Sequence, residues 1–146
     1  MAMPSYKYAA QMARFPDCPP PNKSATGVAY RLVHSPMLED DFLPNPEQQR
    51  NKNSDRQQQE ESCTSWGLSM FTTSNALQKK FGRLIGKYPH IANDVGDHIA
   101  EGALLGTHGV ITKPNKENHF NLFEYADVNI AVLFRVVSKI QPVEPK

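Results

Sequence analysis

The chain has 146 residues, two of them cysteine, and a formal net charge of +1. That is one domain's worth of sequence, with 39% hydrophobic residues to build a single core and no global charge that would draw it to nucleic acid or an acidic membrane. No apolar run approaches the roughly 20 residues that span a bilayer. The opening Met1-Ala2-Met3-Pro4-Ser5-Tyr6-Lys7 also lacks the apolar centre of a signal peptide, so a cytoplasmic protein without membrane contact is expected.

In chain order, residues 1–26 read as a flexible Pro-rich arm. Tyr6, Tyr8, Met12 and Phe15 would line one side of a short helix that Pro16 ends, and Pro19-Pro20-Pro21 then enforces an extended segment. Such an arm either packs on its own domain or docks onto a protein partner. Cys18 and Cys63 form no metal-type pair; two reduced thiols is the first reading, and a disulfide between them is the other. Residues 27–140 follow as a single α+β domain, a mostly antiparallel sheet with one main helix. Its first strand, Gly27 to His34, turns Val28, Tyr30, Leu32 and His34 to one face and Ala29, Arg31 and Val33 to the other. Arg31 thus lies between apolar neighbours, where a guanidinium needs a carboxylate or a ligand anion to offset its lost hydration.

Residues 45–62 contain no aliphatic or aromatic side chain, which predicts a mobile polar insertion. Cys63 to Phe71 reads as a short buried strand. Thr72, Thr73 and Ser74 then offer hydroxyls to cap a helix over 74–88, with Leu77, Phe81, Leu84, Ile85 and Tyr88 as its apolar stripe. Lys79, Lys80, Arg83 and Lys87 point elsewhere, and cations toward the end of a helix suit its dipole. Pro89 stops it. Ile91 to Asp97 is turn-rich, and Asp97 to Leu105 reads as a strand. A hairpin follows from His108 to Tyr125 with a polar tip at 113–118, and its returning strand sets Phe120, Leu122 and Glu124 on one face. The nearly continuous apolar run Val128 to Val137 predicts a central strand covered on both sides. Residues 141–146, with two prolines, read as a loose tail.

Glu124 shares its face with two large apolar groups, an arrangement that raises a carboxyl pKa or calls for a cationic partner such as Arg31. The five histidines, His34, His90, His98, His108 and His119, show no HExxH or HxH spacing, so no metal is expected. His108 and His119 flank the hairpin tip and have the geometry to face each other across it. Cys63 lacks the surroundings of a nucleophile and reads as an inert core thiol. No phosphate-cradling glycine pattern is present. Aromatic residues do not interleave with basic ones, so nucleic acid is not an expected partner.

Arg31 on a first strand, Ser69 through Ser74 at a strand-to-helix junction, and Glu124 on a late strand together resemble the R-S-E pattern of ADP-ribosyltransferase-like domains. The resemblance implies NAD as substrate. Arg31 would hold its phosphates, Thr72, Thr73 and Ser74 would support the nicotinamide pocket, His34 and Ser69 would contribute to binding, and Glu124 would be the catalytic carboxylate at the ribose. Two features depart from the family pattern: Phe71-Thr72-Thr73-Ser74 stands where Ser-Thr-Ser is usual, and Leu122 stands where a second Glu or Gln would precede Glu124. The rival reading is a non-catalytic protein-binding module, a partner or inhibitor of a larger protein, acting through the arm or the sheet surface. A metal-dependent hydrolase using the histidines is the third.

Overall fold

The computed structural model describes residues 5–48 and 61–144. Seven strands form one antiparallel sheet: β1 (Asn22–Ser24), β2 (Gly27–Val33), β3 (Leu68–Phe71), β4 (His98–Leu104), β5 (Gly109–Thr112), β6 (His119–Glu124) and β7 (Phe134–Lys139). Their order across the sheet is β1-β5-β6-β3-β2-β4-β7. The main helix, α2 (Ser74–Lys87), lies between two short ones, α1 (Ala9–Met12) and α3 (Ile91–Val95). The α+β class and the single main helix are as the sequence predicts.

Alternation along the strands makes two apolar faces. On one, Ala29, Val33, Leu68, Met70, Ala100, Phe120 and Leu122 pack under Phe42, Ile130 and Phe134. On the other, Phe71 and Ile99 meet Leu77 and Ile85 of α2, with Tyr30, Leu32 and Phe81 at the margin. Thr73 caps α2 by accepting the Ala76 N–H on its hydroxyl at 3.1 Å, so the first turn is satisfied by the hydroxyl-rich junction.

Several segments depart from expectation. The apolar run Val128 to Val137 is not a central strand. It breaks into a 3-10 turn, Ile130–Leu133, and the edge strand β7, which pairs only with β4 among the described residues. Ile130 and Phe134, four residues apart, are buried against the sheet while Val132 is 74% exposed. The run is apolar because a turn and an edge strand share one core contact, and the centre belongs to β2 and β3. The buried stretch before Phe71 is likewise divided, with a 3-10 turn at Thr64–Trp66 and the strand beginning at Leu68. Ile91 to Val95, within the turn-rich passage, is helical.

The described arm is drawn into the domain. Tyr6 bridges to Tyr125, Ala126 N–H donates to Ser5 O at 2.8 Å, and β1 pairs with β5. Met12 is buried with Trp66, Val110 and Phe123, and Arg14 pairs with Glu61. Cys18 and Cys63 are joined in a disulfide, which corrects the expectation of two reduced thiols. Aromatic residues of the arm cover the part of the sheet that α2 leaves bare, and this brings the two sulfurs together. Of the insertion, Asn45–Glu47 forms a 3-10 turn and Gln48 is buried, whereas 49–60 lie outside the described residues. The tail is held too. Gln141 exchanges two bonds with the Gln78 side chain, and Val143 N–H donates to Gly82 O at 2.8 Å. A Cβ on Gly86 would overlap the Val143 carbonyl, so this glycine exists for close approach. No helix among the described residues is long and apolar enough to cross a membrane.

Two consequences are measurable. Closing a loop with a sequence separation of 45 residues removes unfolded-state entropy. The double change Cys18→Ser, Cys63→Ser should therefore lower the unfolding free energy by about 4 kcal/mol in urea titration. Gly86→Ala should cost roughly 1–3 kcal/mol by expelling the tail from the helix, and the Val143 amide should lose its hydrogen-exchange protection.

Candidate functional site

Strands β2 and β3 share a single register pair, Tyr30 with Phe71, and then splay. Arg31 occupies the gap. It is 7% exposed, donates from Nε to Asp41 O at 2.7 Å, and donates from Nη1 to Ser69 O at 2.7 Å. Burial pulls its pKa down to about 10, against the opposing charges of Asp41 and Glu124. The guanidinium thus substitutes for ladder hydrogen bonds that the diverging strands do not make.

Asp41 is the hub beside it. Its carboxylate accepts the backbone N–H of His34 and of Leu38, each at 2.9 Å, and its Oδ1 lies 2.6 Å from His34 Nδ1. The other ring nitrogen of His34 lies 3.0 Å from Asn93 O, so both nitrogens face acceptors and the ring is fully bonded when charged. Burial disfavours that charge. The bond to Asn93, the bond to Asp41 and the carboxylates of Asp41 and Asp40 outweigh it, and the His34 pKa is raised.

A cleft of about 230 Å³ opens at the splay, lined by Arg31, Asp41, Ser69, Phe71, Phe81 and Asp94 among others. The Ser69 side chain is exposed, and its Oγ lies 2.5 Å from His119 Nε2. Burial, and then the nearby Lys80 charge, lower the His119 pKa.

Glu124 faces the same side of the sheet as Arg31 but does not line the cleft. It is 5% exposed and accepts Lys7 Nζ on Oε2 at 3.2 Å. Burial raises its pKa, partly offset by Lys7 and more weakly by Arg31. The same burial, with the charges of Glu124 and Glu47, pushes Tyr8 up to about 12.

Of the residues singled out in the sequence, the structure therefore gathers Arg31, His34 and Ser69 around Asp41. Thr72, Thr73 and Ser74 lie apart at the start of α2, where Thr73 serves as cap, and Glu124 is held by the arm. Arg31's two bonded donors are directed at main-chain carbonyls, and Glu124 does not line the cleft that Arg31 and Ser69 share. His108 accepts the Leu105 N–H on Nδ1 rather than facing His119. No cluster of three metal-ligating side chains occurs among the described residues. Sequence reasoning missed Asp41, Lys7 and the pairing of Ser69 with His119. Asp41 carries a legible signal, a carboxylate three residues after the extended Leu38 at the start of a turn. No family model, curated protein or solved structure matches the chain.

The His34 pKa is higher in the folded protein than in the unfolded chain. Its contribution to stability is therefore complete below pH about 6.5 and is lost as pH rises through the folded value. Urea titrations from pH 5 to 8 should show that decline, and His34→Ala should flatten it. Replacing Arg31 with Leu should cost roughly 2–4 kcal/mol by leaving two carbonyls without donors, measured by the same titration.

Proposed function

We propose that this chain is a non-catalytic binding module that docks on another protein through the uncovered flank of its sheet. The observation that carries the reading is the β2-β4-β7 end. Helix α2 and the arm cover the rest of that face, but Val28 is 50% exposed, Val132 74% and Val137 42%. A groove of about 290 Å³ runs there, lined by Val28, Glu101, Gly102, Ala103, Val132 and Arg135 among others. The outer edge of β7 borders it, with Arg135, Ser138 and Lys139 exposed. An extended protein segment added along that edge would gain main-chain hydrogen bonds and place apolar side chains over the valines, beside Arg135 and Lys139, which pair at 3.8 and 4.0 Å with Glu101 and Asp97. The same cations discourage self-pairing of the edge.

The arm is the less suitable docking element, because its described part is pinned by the disulfide and by the Met12 cluster. A domain held by a disulfide favours an oxidising setting over the cytoplasm expected from the sequence. The buried charges support the reading as well. Arg31, Asp41 and Glu124 each have hydrogen-bond partners within the protein.

A photo-crosslinking side chain placed at position 132 should capture one partner in the native source, and Val28→Asp should abolish the adduct without moving the unfolding midpoint. Equal capture from position 23 on β1, or none from 132, would overturn the proposal. Calorimetric titration with NAD should give no saturable heat. A saturable heat that Glu124→Gln removes from a folded protein would restore the NAD-cleaving reading.

A further inference from the structure

The start of α2 and the tip of the β5–β6 hairpin face each other across a second, larger cleft of about 740 Å³. Pairing of β6 with β3 brings them together, and Thr72 N–H donates to Asn118 O at 2.9 Å, fixing the tip beside the helix start. The tip is ordered by its own bonds. The Asn115 side-chain oxygen accepts the N–H groups of Glu117 and His119 at 2.9 and 3.0 Å, and Asn118 N–H donates to Asn115 O at 3.0 Å.

Lys79, Lys80 and Arg83 line the cleft from the helix, and Lys116 lines it from the tip. All four are exposed, and among the described residues none forms an ion pair with a carboxylate. Lys80 Nζ lies 5.9 Å from the Phe71 ring centroid. Four cations face one carboxylate there, Glu117, and the amides of Asn75 and Asn118 add hydrogen-bonding capacity.

We propose that this cleft binds a compact ligand bearing two or more adjacent phosphates. Convergent cations on two elements, with no carboxylate partner among the described residues, concentrate anions between them. Lysine ammonium groups act as point charges suited to phosphate oxygens. The volume lies within the range of small-ligand sites. No aromatic side chain lines the cleft, so stacked bases of a single-stranded nucleic acid would find no platform.

The test is calorimetry on the whole protein with inorganic tripolyphosphate, ATP, vesicles carrying a phosphoinositide bisphosphate, and a 20-nucleotide single-stranded DNA. Tripolyphosphate should bind saturably, and the double variant Lys79→Glu, Lys116→Glu should weaken it at least tenfold. Arg135→Glu, on the far flank of the sheet, should leave it unchanged. Binding should perturb the amides of Thr73, Lys80, Lys116 and Asn118, and it should raise the His119 pKa as the Lys80 charge is neutralised. Preference for ATP over tripolyphosphate would identify a nucleotide, and binding confined to vesicles a lipid headgroup; either keeps the phosphate assignment. No saturable heat from any phosphate probe, equal binding by the double variant, or DNA binding far tighter than every compact probe would overturn it. Because the softer pair Lys80→Gln, Arg83→Gln alters no buried group, its retained full affinity would count against the site even if the charge reversal unfolded the protein.

Discussion

A buried guanidinium stands where the hydrogen-bond ladder between two central strands runs out. The sheet divides into halves, β1-β5-β6-β3 and β2-β4-β7, and they share one register pair, Tyr30 with Phe71. Splaying strands leave main-chain acceptors without their ladder donors, and burying such groups is costly. Arg31 answers on both sides, donating to Ser69 O across the seam and to Asp41 O in the covering segment. Arginine suits the place because its planar fork offers donors in two directions at once, which a lysine ammonium on a flexible stem does not match. Desolvation is its cost, reflected in its lowered pKa.

The covering segment inherits its position from this bond. Asp41 holds His34 and Leu38 through its carboxylate while its carbonyl receives Arg31. His34 extends the connection to α3 through Asn93 O. One cation at the seam thus locates the residues that place Phe42 over the sheet, where the ring lies 5.8 Å from the Arg31 guanidinium carbon. Apolar packing supplies most of the stabilisation, since both cores cross the seam. The polar network sets which arrangement that packing adopts.

Periodicity made much of this legible. The alternation of β2 and β6 puts Arg31 and Glu124 on one face, the stripe Leu77–Phe81–Ile85 marks α2, and the run Thr72-Thr73-Ser74 offers its cap. Two features escaped for the same physical reason, that their partners are distant in sequence. Glu124 calls for a cation in its environment, but alternation cannot say whether Arg31 or Lys7 supplies it; the answer depends on how the arm crosses the end of β6. Cys18 and Cys63 read as free thiols because nothing local joins them. The run Val128 to Val137 misled for a different reason. Burial by pairs four residues apart and burial on both sides of a strand give similar apolar density, and only the exposed Val132 and Arg135 separate them. A cation and a carboxylate on the inward side of separate strands each need a neutralising neighbour, whether that neighbour is a ligand or the protein itself.

A near-neutral total charge argued against anionic partners, yet charge acts locally within a screening length of about 10 Å. Lys116 and the helix cations are separated by more than thirty positions in the chain and adjoin only because β6 pairs with β3. The basic cleft therefore belongs to one half of the sheet, while the apolar flank lies at β2, β4 and β7 in the other. They share no lining residue. Occupation of one leaves the other sterically open, while α2, which bears the cleft cations, packs on Phe71 on one side of the seam and on Ile99, Tyr30 and Leu32 on the other. Phe71 lies beneath Lys80 on the cleft side, and Tyr30 follows Val28 by two positions on the flank side. The seam that Arg31 closes and the helix that spans it are thus the packed routes joining the two exposed surfaces.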